Sequence, residues 1–348
     1  MPAKFKLTIV ILLWLISSHG NAQFLKMDSL DQKFDQLKNY LLFRGQDSTY
    51  IGSYAQYLAL KYVAANKFYF FGIRDRDLNT SLRYRPEYGI NMGIGFAYKW
   101  IGLDLLFNVG LWEDNELEGS ERFDFLIRLF TSKHFIEANI TYYYGHQLDF
   151  IFGIDQNIEE IHKLRQDLRV ITLGLQYLYV FNYDKFSLRA PFVQNEIQRK
   201  SAGSMILGFS LNYYSMDADS TVVPEELKYN FNEELNLVDV SVITPAVSFG
   251  YMYSFVVKEK FFLTLGLIPG LNLTYGDRKT DIRELINWHL SYKIRSMFAI
   301  GYNARKVFTG IQLFGDVNNI RIDKKQDAFF TNGSLKFFVG YRFIKDKN

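Results

Sequence analysis

In "WHLSYKIR", residues 288–295, His289 and Ser291 are separated by one residue, so on an extended strand both point to one side together with Lys293 and Arg295. A base beside a hydroxyl is the minimum for a serine nucleophile, and this pairing is the one hydrolase-like pattern in the chain. A third, carboxylate group would have to orient the base. Glu137 is a candidate by residue type alone, and the plainer reading is a polar strand end at a water interface. The remaining histidines, His134, His146 and His162 after the N-terminal region, fall into no metal-ligand spacing. No H-E-x-x-H, G-x-x-x-x-G-K, Asp-rich calcium loop or G-x-S-x-G is present. The sequence therefore assigns no cofactor and no metal. Zero cysteines exclude disulfides, thiolate metal sites and a lipidated N-terminal Cys.

The elements that would hold such groups are strands. In "YGINMGIGFAYKW", residues 88–100, Tyr88, Ile90, Met92, Ile94, Phe96, Tyr98 and Trp100 alternate with Gly89, Asn91, Gly93, Gly95, Ala97 and Lys99. After a tight turn, Leu103, Leu105, Phe107, Val109 and Leu111 alternate with Gly102, Asp104, Leu106, Asn108 and Gly110, which reads as a hairpin. The same period of two recurs in "ERFDFLIRLF" and "FIEANITYYY" and over 171–181, 186–192, 204–213, 246–255, 261–273, 290–303, 307–315 and 334–343, giving about twelve strands. Residues 54–77 could add a hairpin turning at Ala65-Asn66, which would make fourteen. Glycines inside "NMGIGFAYKW" have no helix after them, so they read as packing positions and not as a nucleotide loop. Two connections carry helical hints, at 155–168 and in "PEELKYNF" beginning at Pro224. Long polar connections at 145–167, 215–239, 274–289 and 316–332 contrast with tight ones near 182–185, 256–259 and 303–306. Two longer ones, 193–203 and 215–239, flank a single strand.

The chemistry of the two faces separates a membrane barrel from a soluble sandwich. A sandwich shows Lys, Glu, Thr and Gln on its outer face, whereas here the second face is mostly Gly, Ala, Asn and Ser with scattered charge. Large apolar residues on one parity suit lipid, where backbone groups must be satisfied in a ladder without open edges. Aromatics make up 17% of the chain and crowd toward strand ends, as expected for interfacial girdles. The expected fold is all-β, a transmembrane antiparallel β-barrel of about twelve strands. In it Lys99, Asp104, Asn108, Glu137, Asn139 and Thr141 fall on the lumenal parity.

The N-terminus carries Lys4 and Lys6, an apolar run from Leu7 to Ile16 and the small-x-small stretch Gly20-Asn21-Ala22. Residues 1–22 thus read as a signal peptide cleaved near Ala22. Residues 23–49 read as a periplasmic segment with a short amphipathic helix on Leu30, Phe34, Leu37 and Leu41, and 50–345 as the barrel. The formal charge is +3, of which Lys4 and Lys6 supply two, so no field is available to attract nucleic acid.

Several runs together, "YRPEYGINMGIGFAYKWIGLDL", "NYDKFSLRAPFVQNEIQRKSAGSMILG" and "FFLTLGLIPGLNL", resemble domain-of-unknown-function family 4421, from about Tyr50 to Phe343. That resemblance implies a bacterial outer-membrane barrel and transfers no catalytic residue. Within it "QRKSAGS" is a candidate lumenal constriction or ligand contact, and a turn needing Gly203 is the plainer reading. The last strand, Leu335 to Phe343, resembles the aromatic-ended signal read by the barrel-assembly machinery, although "IKDKN" follows Phe343. Outer-membrane lipid and that machinery are the expected partners. The expected role is non-enzymatic, a narrow pore or a binding and assembly platform. A lipid-modifying hydrolase and a structural barrel with a filled lumen are the alternatives.

Overall fold

A computed structural model describes residues 45–86, 89–98, 101–108, 119–154, 163–280 and 284–344. The signal peptide, the expected N-terminal helix, Lys99 and most of the 155–168 hint lie outside these residues.

Period-two alternation gives long strands: β1 (Ile51–Ser53), β2 (Ala59–Asp75), β3 (Thr80–Arg85), β4 (Ile90–Tyr98), β5 (Ile101–Asn108), β6 (Glu121–Phe130), β7 (His134–Phe152), β8 (Leu164–Val180), β9 (Glu196–Gln198), β10 (Ala202–Asp217), β11 (Leu237–Val257), β12 (Phe261–Thr280), β13 (Glu284–Asn303), β14 (Val307–Arg321) and β15 (Gln326–Arg342). The ladders are antiparallel, and β15 pairs with β2 along its whole length, Gln326 opposite Asp75 and Arg342 opposite Ala59. This closes the sheet into a ring of ten strands, β2, β3, β7, β8 and β10 to β15. Where β3 completes the ring, closure removes the open edges that these ten strands would expose as a flat sheet.

Ala59 and Arg342 mark what is called here the lower end. The ring is complete in its upper half, where Phe71 to Asp75 of β2 pair with β3 and Ser81 to Arg85 of β3 pair with β7. In the lower half the place of β3 is taken by three strands. Residues 59–66 of β2 pair with β4, β4 pairs with β5, and β6 pairs with residues 135–144 of β7. Among the described residues no ladder joins β5 to β6. The wall carries a seam there.

The expected strand count of twelve is corrected by this arrangement. Residues 54–77 do not form a hairpin, because Ala65 and Asn66 continue through the middle of β2. Residues 186–192 are not a strand: Phe186, Leu188, Ala190 and Phe192 alternate, but their neighbours Ser187, Arg189 and Pro191 are buried too, and Arg189–Phe192 form the short helix α1. Alternation predicts a strand only when the other parity meets something different, and here both meet protein interior. The connections expected as long at 274–289 and 316–332 are mostly polar strand extensions, while 182–201 is long and lies at the end where the chain termini of the barrel lie. Pro224 directly precedes a 3-10 helix, Glu225–Asn230.

Outward residues form an apolar surface around the wall, with Ile94 65%, Leu271 60% and Leu267 58% exposed. The inside is filled in three layers. At the upper end Tyr69, Phe71, Tyr84, Tyr214 and Phe330 pack with Val222, Val223, Leu227, Phe231 and Leu235 of the 218–236 connection. At the lower end the 182–201 segment folds inward and sets Phe186, Leu188 and Phe192 against Phe135, Ile206, Met252 and Phe314. Arg342 holds this plug by donating to the carbonyls of Gln194 and Ala304 and, at 2.6 Å, to Asn303 Oδ1. Arg189 and Glu196 pair inside it at 3.1 Å, and β1 pairs with β9 across it.

Candidate functional site

Between the two apolar layers lies a polar one, built by inward positions of strands from all round the ring. Arg295 of β13 donates to Glu137 Oε1 at 3.0 and 3.1 Å and reaches Asp316 Oδ2 at 3.2 Å. Arg128 of β6 holds the other Glu137 oxygen and stacks on Phe314, 3.8 Å from the ring centre. Lys293 donates to Gln176 Oε1 and Ser210 Oγ, both at 2.9 Å. Buried charge is costly unless paired or hydrogen-bonded: Arg295 and Arg128 are paired with carboxylates, and Lys293 is held by two neutral acceptors.

Of the residues expected to line the lumen, Glu137 and Thr141 are buried on the inner face, and Asn139 lies between them on the same parity. Gly174 explains how Asn139 fits, since a Cβ there would stand 2.2 Å from Asn139 Oδ1 and 2.9 Å from Asn212 Oδ1. Asp104 also points inward, but it faces a different neighbourhood. Lys61 Nζ lies 2.9 Å from one of its oxygens and Lys336 Nζ binds the other. A Cβ at Gly95 would fall 2.2 Å from Asp104 Oδ1, so this glycine makes room for the trio. The backbone of Asn108 pairs with Asn91, and its side chain lies outside the described residues.

A cavity of about 680 Å3 opens at the seam. Its lining includes Leu103 and Leu105 from the outward row of β5, Phe125 and Ile127 from the outward row of β6, and inward groups Lys61, Asp104, Arg128 and Lys336. The cavity therefore runs through the wall between β5 and β6 and ends on the charged layer. Lys67 and Asp124, 2.8 Å apart, line it above, and Phe130, Phe192 and Phe314 line it toward the plug. Sequence alternation places Lys336 on the inner parity of its strand but carries no sign of Lys61 or of the seam, which depends on which strands pair.

The profile of the family described as a domain of unknown function (DUF4421) matches residues 45–343. The chain belongs to that family. The match runs from the residues before β1 to the end of β15, so this DUF4421 chain carries plug, seam and ring within one family unit. No curated protein matches the sequence. Among solved structures, the outer-membrane protease OmpT of Escherichia coli is similar at a TM-score of 0.35 and 7% identity, over 83% of this chain and 97% of that one. The toluene transporter TodX of P. putida is similar at 0.26 and 8%, over 84% and 91%. CdiB from Acinetobacter baumannii is similar at 0.22 and 7%, over 79% and 60%.

In this DUF4421 barrel His289 and Ser291 both sit on β13, and they are not joined by a hydrogen bond. The Ser291 hydroxyl lies 3.3 Å from that of Thr274 on β12, and His289 Nε2 has no hydrogen-bond partner. Glu137 is bound to two arginines, so it does not orient the imidazole. Among the described residues no cluster of three or more His, Asp or Glu could hold a metal ion.

Proposed function

We propose that the protein is an exported outer-membrane β-barrel that binds a ligand at its wall and does not conduct along its axis. The bilayer reading is supported by the apolar outward row, by strand lengths of 15–21 residues in β10 to β15, ample for a tilted crossing, and by aromatic pairs near strand ends such as Tyr341 with Phe343. Leu335, Phe337, Val339, Tyr341 and Phe343 present an outward apolar edge on the last strand, which fits delivery by the barrel-assembly machinery. Cleavage after Ala22 would release the mature chain.

The observation that carries the non-conducting reading is the bond from Arg295 to Glu137, which links strands on opposite sides of the ring. Side chains occupy the interior at three levels, the apolar layers above and below and the charged layer between them. Single-channel recording in planar bilayers tests this: inserted wild-type protein is expected to give no conductance steps, and steady steps would establish a pore and overturn the reading.

A further inference from the structure

We propose that the β5/β6 seam is a lateral docking site for a bilayer lipid with an anionic head, which enters the cavity while its acyl chains stay against the outer wall. The inference rests on the membrane reading above. Strand edges facing hydrocarbon leave backbone N–H and C=O groups without partners, an arrangement tolerated only where the backbone lines a polar cavity. The seam has such a cavity behind it, and the cavity wall changes from Leu103, Leu105, Phe125 and Ile127 outside to Lys61, Lys336 and Asp104 inside. This gradient matches an amphiphile lying across the wall. Its volume, about 680 Å3, falls in the range that holds one small ligand or head group.

Charge selects the occupant. Two ammonium groups, Lys61 and Lys336, share the single carboxylate of Asp104, whereas Lys67 has Asp124, Arg128 has Glu137, and Arg295 has both Glu137 and Asp316. Among the described residues one cationic charge of this trio at the cavity floor has no carboxylate of its own, and an arriving anion would compensate it. A phosphate or carboxylate head supplies it. An added polypeptide strand would satisfy the edges of β5 and β6 but would bring no charge to the lysine pair.

The test uses the full chain purified in detergent micelles and native mass spectrometry with phosphatidylglycerol or phosphatidylcholine of identical acyl chains. Wild-type protein is expected to retain phosphatidylglycerol about tenfold better. The pair Lys61→Gln with Lys336→Gln should bring retention of the two lipids to parity, and Asp104→Asn, which removes the only carboxylate the lysines share, should raise the preference. Leu126→Trp, which fills the cavity without altering charge, should reduce retention of both. Equal retention by wild-type protein, or a preference unchanged or lowered by Asp104→Asn, would overturn the proposal. So would displacement of the lipid by inorganic phosphate, which would make this a site for free anions, or lipid-free dimers, which would make it a strand-pairing edge. Wild-type protein that never shows heat-modifiable migration counts against the membrane reading itself. Equal retention by heat-modifiable protein counts against the seam alone.

Discussion

Arg295 and Glu137 meet across the inside of the barrel, from β13 and β7, with β8, β10, β11 and β12 between them in the sheet. Two nitrogens of the guanidinium donate to one carboxylate oxygen at 3.0 and 3.1 Å, and Arg295 is 1% exposed. The pair ties two distant strands of the wall through the interior.

Removing one member of that tie leaves a buried charge short of a partner. Glu137→Leu strands Arg128 and leaves Arg295 with Asp316 alone, and is expected to cost about 3–5 kcal/mol. Urea unfolding in lipid vesicles measures it. A loss below about 1 kcal/mol would mean that water reaches the layer.

Outward positions respond to charge by depth. Leu267→Arg and Leu271→Arg, on β12, should each cost about 2–4 kcal/mol, while Tyr229→Arg, 97% exposed in the 218–236 connection, should cost nothing measurable. The same vesicle unfolding assay reads all three.

Inward positions respond to volume. Gly174→Leu drives a side chain into Asn139 and Asn212 and should cost about 1–3 kcal/mol or more, because the interior is packed. A neutral effect would indicate a water-filled lumen with room to spare.

Ser291→Ala removes a hydroxyl whose nearest partner is Thr274 and should cost no more than about 1 kcal/mol. Phospholipid hydrolysis by wild-type protein that disappears in this variant would revive the catalytic reading of His289 and Ser291.

The sequence made the wall legible and left the closure obscure. Alternation in 88–111, 121–144 and 334–343 put Ile94, Phe107, Ile140 and Leu335 outside and Asp104, Glu137 and Ser334 inside, because the outer and inner faces of a closed sheet carry different side chains on the two parities. It failed where the environment was the same on both sides. The plug at 186–192 alternates yet is buried throughout, and β3 is too short for its six residues to stand out. The turn expected at Ala65-Asn66 rested on small residues that serve inside β2 as low-volume wall positions beside Lys336 and Leu335. Pro245 and Pro269 sit inside β11 and β12, and the ladder between these strands skips the pairs beside them, so a missing donor is absorbed by a long strand. The seam was invisible because it is a property of pairing partners, and no local pattern specifies that β5 and β6 stay apart.

The most direct test of the account exploits the absence of native cysteine. Single cysteines at Leu267, Leu271 and Tyr229 carry a spin label in reconstituted vesicles, and collision with oxygen is compared with collision with a water-soluble nickel chelate. Labels at 267 and 271 are expected to collide with oxygen and be shielded from the chelate, with the reverse at 229. Free access of the chelate to 267 and 271 would place the outward row in water and contradict the membrane barrel.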